Sequence, residues 1–86
     1  MVNYTELVSF IASSLVTKPE VVQITSSTDD NNVLKIMIYV APEDTGRIIG
    51  RKGATINAIR QIVRVSAAKG GEEVNVDVVE QEQPQE

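Results

Sequence analysis

The 86 residues suffice for one compact domain and little more. The absence of Cys and His excludes disulfides, thiolate zinc sites, Cys nucleophiles and histidine bases. The formal net charge of −4 and a pI near 4.7 count, at face value, against nucleic acid, whose phosphates usually select a basic footprint.

Asn3 followed by Glu6 predicts a helix start, with the Asn side chain accepting from a first-turn amide and the Glu reaching back. Leu7, Val8, Ile11, Ala12 and Leu15 then share one helical face, and Phe10 is available to the same core. Lys18-Pro19 ends that helix, because the residue before a proline avoids helical angles. Residues 21–25 predict a strand with Val22 and Ile24 inward, and residues 26–32 are turn-forming throughout. Residues 33–40 predict a stronger strand. Leu34, Ile36, Ile38 and Val40 line one face, and the other face (Val33, Lys35, Met37, Tyr39) is mostly apolar as well, which suits a central strand.

Pro42-Glu43-Asp44 opens a short helix over residues 44–49, its acids at the positive end of the dipole, and Gly50 stops it. A longer helix starts at Gly53 or Ala54, runs to about residue 68 and ends at Gly70-Gly71. Residues 73–79 alternate cleanly with Val74, Val76 and Val78 inward, a third strand. The tail 80–86 has nothing apolar to bury and is expected to be a disordered acidic, Gln-rich segment, leaving residues 1–79 as a single domain. The expected fold class is α+β: a two-layer sandwich in the order α-β-β-α-α-β, with three helices on one face of a three-stranded mixed sheet. No apolar run reaches the roughly 20 residues of a membrane span, and no basic residue precedes the first apolar stretch as in a secretory signal. A cytoplasmic chain is expected.

Resolved along the chain, the charge is sharply uneven. Six of the eight cations (Arg47, Arg51, Lys52, Arg60, Arg64 and Lys69) fall in residues 47–69, and none of the twelve acids does. That segment carries +6. The other 63 residues carry two cations against twelve acids, a net of −10.

The cluster coincides with a glycine turn, Arg47-Ile48-Ile49-Gly50-Arg51-Lys52-Gly53-Ala54-Thr55-Ile56. Gly50 and Gly53 can adopt angles a side chain forbids and leave no Cβ to hold a ligand away. The helix beginning beside them aims unsatisfied amides and a positive dipole end outward, an anion site. Arg51 and Lys52 add charge at the same point, and Ile48, Ile49 and Ile56 offer apolar surface beside it. Phosphates on one side and bases on an apolar floor describe a single-stranded nucleic acid in a groove. A Walker A loop and a dinucleotide fingerprint both fail on spacing. An ordinary helix–helix turn needs neither both glycines nor two cations.

The segment resembles the GXXG signature of KH domains, in which the loop clamps about four nucleotides of backbone. The element order resembles the type II, bacterial form of that fold, and a free-standing domain of this length is similar to the small single-KH family KhpA. The resemblance implies a non-catalytic binder of single-stranded RNA without cofactor or metal, an RNA chaperone or post-transcriptional regulator. It further implies a homodimer, or a heterodimer with a larger KH-containing protein of the KhpB, Jag or EloR kind. By the same resemblance Gly50, Arg51, Lys52 and Gly53 hold phosphates, Ala54 stands at the start of the next helix, and Arg47, Arg60 and Arg64 are outer electrostatic contacts. Ile49 and Ile56 either line the groove or support it from the core. The alternative for Arg60 and Arg64 is a pair of solvated residues flanking a buried face.

Ile56, Ile59, Val63 and Ala67 share the core face of the long helix, whereas Ala58, Ile62 and Val65 fall opposite or lateral to it. Ile62 and Val65 are therefore candidate dimer contacts. With Tyr4, Phe10 and Tyr39 as its whole aromatic complement, the chain is poorly equipped for modules that stack bases on exposed rings. A protein-interaction module with little RNA binding is the competing reading. An enzyme would have only loop carboxylates such as Glu43/Asp44 and Glu72/Glu73 to work with.

Overall fold

The structure, a computed structural model, describes residues 3–79. The expected disordered tail lies outside the described residues. Helix α1 spans Tyr4–Leu15, strand β1 Gln23–Thr28, strand β2 Leu34–Tyr39, helix α2 Thr45–Ile49, helix α3 Ala54–Lys69 and strand β3 Val74–Val78. The sheet order is β1-β2-β3, with β1 antiparallel and β3 parallel to β2. A parallel partner must return from the far end of the sheet, and α2 and α3 supply that crossover. This is the expected α+β arrangement of three helices and a three-stranded mixed sheet.

Alternation decides the core. Ile36, Ile38 and Val40 from β2 and its end meet Val74, Val76 and Val78 from β3. Val8 and Ala12 of α1, Ile48 of α2, and Ile56, Ile59, Val63 and Ala67 of α3 cover them. Burying one such Ile or Val contributes about 1.5–3 kcal/mol, so the shared face of α3 alone anchors the helix. β2 is central, as its two apolar faces predict; Met37 on its outer side is half-buried between Thr25 and Asp77 of the neighbouring strands.

Three expectations need correction. Phe10 is not a core residue: it lies on the solvent side of α1 and is 73% exposed. It sits two residues beyond Val8, roughly 200° around the helix from that buried position. Leu15, expected to face inward, is exposed as well. α1 stops at Leu15 rather than at Lys18 because Val16 is extended and the amides of Thr17 and Lys18 are bound by the Asp44 carboxylate.

The first strand is also displaced. Pro19 opens a 3-10 turn over Pro19–Val21, which removes Val21 from the strand, and β1 continues through Ser26, Ser27 and Thr28 opposite Ile36, Lys35 and Leu34. The true turn is shorter than residues 26–32. Asp29 accepts from the amides of Asn31 (2.8 Å) and Val33 (3.0 Å) through one side-chain oxygen, and Asn32 takes a left-handed φ of 64°.

Candidate nucleic-acid interface

The interface begins with the short helix α2, and one buried acid sets its direction. Asp44 has no exposed surface. It accepts from the Thr17 amide (3.0 Å), the Thr17 hydroxyl (2.9 Å) and the Lys18 amide (3.1 Å), and Arg47 Nε stands 3.4 Å from Oδ1. Burial pushes the Asp44 carboxyl up, but the Thr17 and Lys18 bonds with Arg47 outweigh it and hold the group below its ordinary value. The carboxylate thus ties the end of α1 to the start of α2. Lys18 and Glu43 pair on the surface beside it at 2.6 Å.

Gly50 closes α2. Its amide donates to the Gly46 carbonyl (2.8 Å), and its backbone turns at φ 75°, ψ 177°, a region essentially reserved for glycine. A Cβ here would collide with Thr55 Oγ1 and lie 2.8 Å from the Thr55 amide. The chain then makes a 3-10 turn over Arg51–Gly53, with Lys52 left-handed at φ 56° and Gly53 at φ 79°. The Gly53 amide donates back to the Gly50 carbonyl (3.2 Å), so the two glycines bracket a closed turn that pushes Arg51 and Lys52 into solvent. α3 starts at Ala54 with no side chain capping its amino end. That leaves the dipole end of a 16-residue helix facing the same side as the two cations.

Around this turn the structure gathers Arg47, Arg51, Lys52 and Ala54, all exposed, with Ile49 half-buried beside them. Ile56 is 6% exposed and packs in the core, so of its two open positions it takes the supporting one behind the loop. Arg64 stands elsewhere. It lies 11 residues from Gly53, about 16 Å along the α3 axis, and lines a cleft with Ala67, Glu72 and Val74. Neither Glu72 nor Glu73 at that end suits a phosphate.

Arg60 is half-buried and not free. Its Nε donates to the Val76 carbonyl (2.9 Å), Nη1 to Asn57 Oδ1 (3.0 Å) and Nη2 to Asp77 Oδ1 (3.3 Å). Neither Asn57 nor Asp77 was singled out as a site residue in the sequence, and Asp44 was named only as a helix-opening acid and loop carboxylate, not as the group that binds Thr17 and Lys18. The Asn57–Arg60 and Asp44–Arg47 spacings of three were the local signals, because the other partners come from remote segments. Ile62 (47% exposed) and Val65 (64%) stand outward on α3, away from its buried face.

Among the described residues no His, Cys, Asp or Glu cluster could hold a metal ion, and no helix is long and apolar enough to cross a membrane.

The family model for the KhpA/KhpB KH domain matches residues 5–78. The chain is 38% identical over 74 residues to the RNA-binding protein KhpA of Clostridium perfringens, covering 86% of this chain and 97% of that protein. It is likewise 38% identical over 74 residues to the RNA-binding protein KhpA of Halalkalibacterium halodurans, covering 86% and 96%. To the RNA-binding protein KhpA of Listeria monocytogenes it is 35% identical over 75 residues, covering 87% and 97%. Among solved structures, Aquifex aeolicus Era bound to GDP.AlF4- superposes with a TM-score of 0.59 at 26% identity, over 87% of this chain and 29% of the Era chain.

Proposed function

Because the chain belongs to the KhpA/KhpB KH-domain family, we propose that it is a non-catalytic RNA-binding protein that holds short single-stranded RNA against the Gly50–Gly53 turn. The observation that carries this reading is the turn itself. Two glycines in left-handed conformations extrude Arg51 and Lys52 beside an uncapped helix end, within a segment free of acids. Backbone amides and cations together bind phosphate without reading sequence, and the half-buried Ile49 gives bases an apolar neighbour. Arg47 stands exposed beside the turn on α2, oriented by Asp44, which offsets part of its charge.

A groove this small binds weakly by itself. Pairing two copies, or one copy with a larger KH-containing protein, raises the effective concentration of the second site and so the overall affinity. The exposed Ile62 and Val65 on α3 suit that contact, being apolar and placed away from the Gly50–Gly53 turn. A role as RNA chaperone or post-transcriptional regulator fits weak, sequence-tolerant binding of this kind.

The test is a titration of one short RNA as a single strand and as a duplex. Binding of the single strand, loss of that binding in Arg51→Asp/Lys52→Asp, and a much weaker response to the duplex are expected. Equal affinity of native and charge-reversed proteins for the single strand contradicts the assignment.

A further inference from the structure

Resting on the RNA reading of the Gly50–Gly53 turn, we propose that Arg60 is a stacking plane for a nucleobase and not a phosphate contact. Three observations meet at this residue. The first is its hydrogen bonding. Guanidinium N–H groups lie in the plane of the group, so Val76 O, Asn57 Oδ1 and Asp77 Oδ1 all hold Arg60 by its edges. The Val76 carbonyl is available because β3 is an edge strand. Glu73 and Val79 turn their backbone groups toward β2, through Leu34 N–H to Glu73 O and Val79 N–H to Ile38 O. The alternate residue Val76 therefore presents its carbonyl on the free side. Bound at three points on two different elements, the plane has lost most of the freedom of an ordinary surface arginine.

The second observation is charge. Asp77 stands 3.3 Å from Nη2 and compensates the positive charge that a phosphate would need. The side chain still keeps 32% of its surface. Three of the five N–H groups are engaged at the edges, which fixes the plane and leaves its face, with one N–H on each Nη, to meet a ligand. The third is location. Asn57 is one turn from Gly53, and Arg60 a further turn along the same flank of α3, about 10 Å from the loop. The Asn57 amide nitrogen lies 3.7 Å from where a Gly53 Cβ would stand, which makes the row from loop to edge strand continuous. No aromatic residue belongs to α2, α3, β3 or the turn. Bases leaving the phosphate clamp thus meet a fixed guanidinium plane where other single-strand binders place a ring, and such planes stack bases.

The test uses the full chain with a short single-stranded oligoadenylate and an abasic oligomer of the same sugar-phosphate backbone. The native protein is expected to bind the oligoadenylate about tenfold more tightly, within the range for stacking of one base. Arg60→Lys keeps the charge and loses the plane. It is expected to remove most of that preference, leaving only what Ile49 supplies, while the affinity for the abasic oligomer and its salt dependence stay unchanged. A preference undiminished in Arg60→Lys overturns the proposal and reduces Arg60 to a tie between α3 and β3. Weakened binding of both oligomers with a shallower salt dependence overturns it in favour of a phosphate contact.

Should Arg60→Lys fail to fold, the native protein gives a second readout. The Arg60 δ-methylene proton resonances are expected to move upfield on adding oligoadenylate and to stay in place with the abasic oligomer; unmoved resonances at saturating oligoadenylate overturn the proposal. If binding depends on Arg51 and Lys52 but shows no preference for bases, the Arg60 proposal alone falls. If neither oligomer binds, the RNA reading falls and takes this one with it.

Discussion

At the scale of single residues, Gly50 and Gly46 make opposite predictions from the same substitution. Gly50 has φ 75° and a Cβ position already occupied by Thr55, whereas a Cβ on Gly46 meets nothing within 4 Å inside helix α2. Gly50→Ala therefore combines a forbidden backbone region with a backbone clash. Strain alone costs on the order of 1–3 kcal/mol, which lowers the melting temperature by roughly 5–20 °C in a domain this small. Gly46→Ala removes glycine's entropy cost in a helix and is expected to raise stability by about 0.5–1 kcal/mol. Thermal melts of the two variants check this pair. A Gly50→Ala protein as stable as the native chain contradicts the loop geometry. Arg60 shows the other side of residue-scale reading: its charge was plain in the sequence, and its use was hidden until β3 was seen beside α3.

At the scale of elements, α2 has five residues with Ile48 as its one fully buried side chain, so its placement also depends on what precedes it. The Asp44 carboxylate joins the end of α1 to that start, and this junction has a pH signature. Its folded-state pKa lies below the ordinary value of 3.8. The stabilisation is thus fully present above about pH 4 and is lost as pH falls through the lower, folded value. Glu43, also held down by Lys18, adds a dependence of the same sign from the surface. Asp44→Asn is expected to melt lower than the native chain at neutral pH and to lose less on acidification below pH ~4, as read from melting temperatures across the acid range. Parallel curves for the two proteins contradict the clasp.

The elements themselves were largely legible. Periodicity marked α1, β2, α3 and β3, and the glycines marked the ends of α2 and α3. The errors fall where tertiary contacts overrule local pattern. α1 ends early because a residue 27 positions away captures Thr17, and β1 runs on through serines because β2 pairs them. The loop half of the candidate site was legible for the same reason the elements were: its geometry is local. The Arg60–Asn57–Asp77 half depends on β3 lying against α3, a contact no sequence window contains.

At the scale of the whole molecule, the charge asymmetry becomes spatial. Arg51 and Lys52 project from one turn, while Glu72 and Glu73 border the far end of α3 beside Arg64. An acidic remainder disfavours indiscriminate contact with nucleic acid, which on the proposed reading favours the side that carries the turn. The outward α3 residues predict association at another place. Ile62→Asp puts a charge in the proposed contact and is expected to lower the sedimentation-derived mass relative to the native chain without changing single-site RNA affinity. An unchanged mass counts against that surface. The central claim, phosphate binding at the Gly50–Gly53 turn, is tested most directly by the salt dependence of single-stranded RNA affinity. If the turn and its neighbours neutralise about three phosphates, log affinity falls against log salt with a slope near −2. In Arg51→Asp/Lys52→Asp that slope is expected to approach zero together with the affinity. Native and charge-reversed chains that share one slope and one affinity would place RNA, if it binds, somewhere other than this turn.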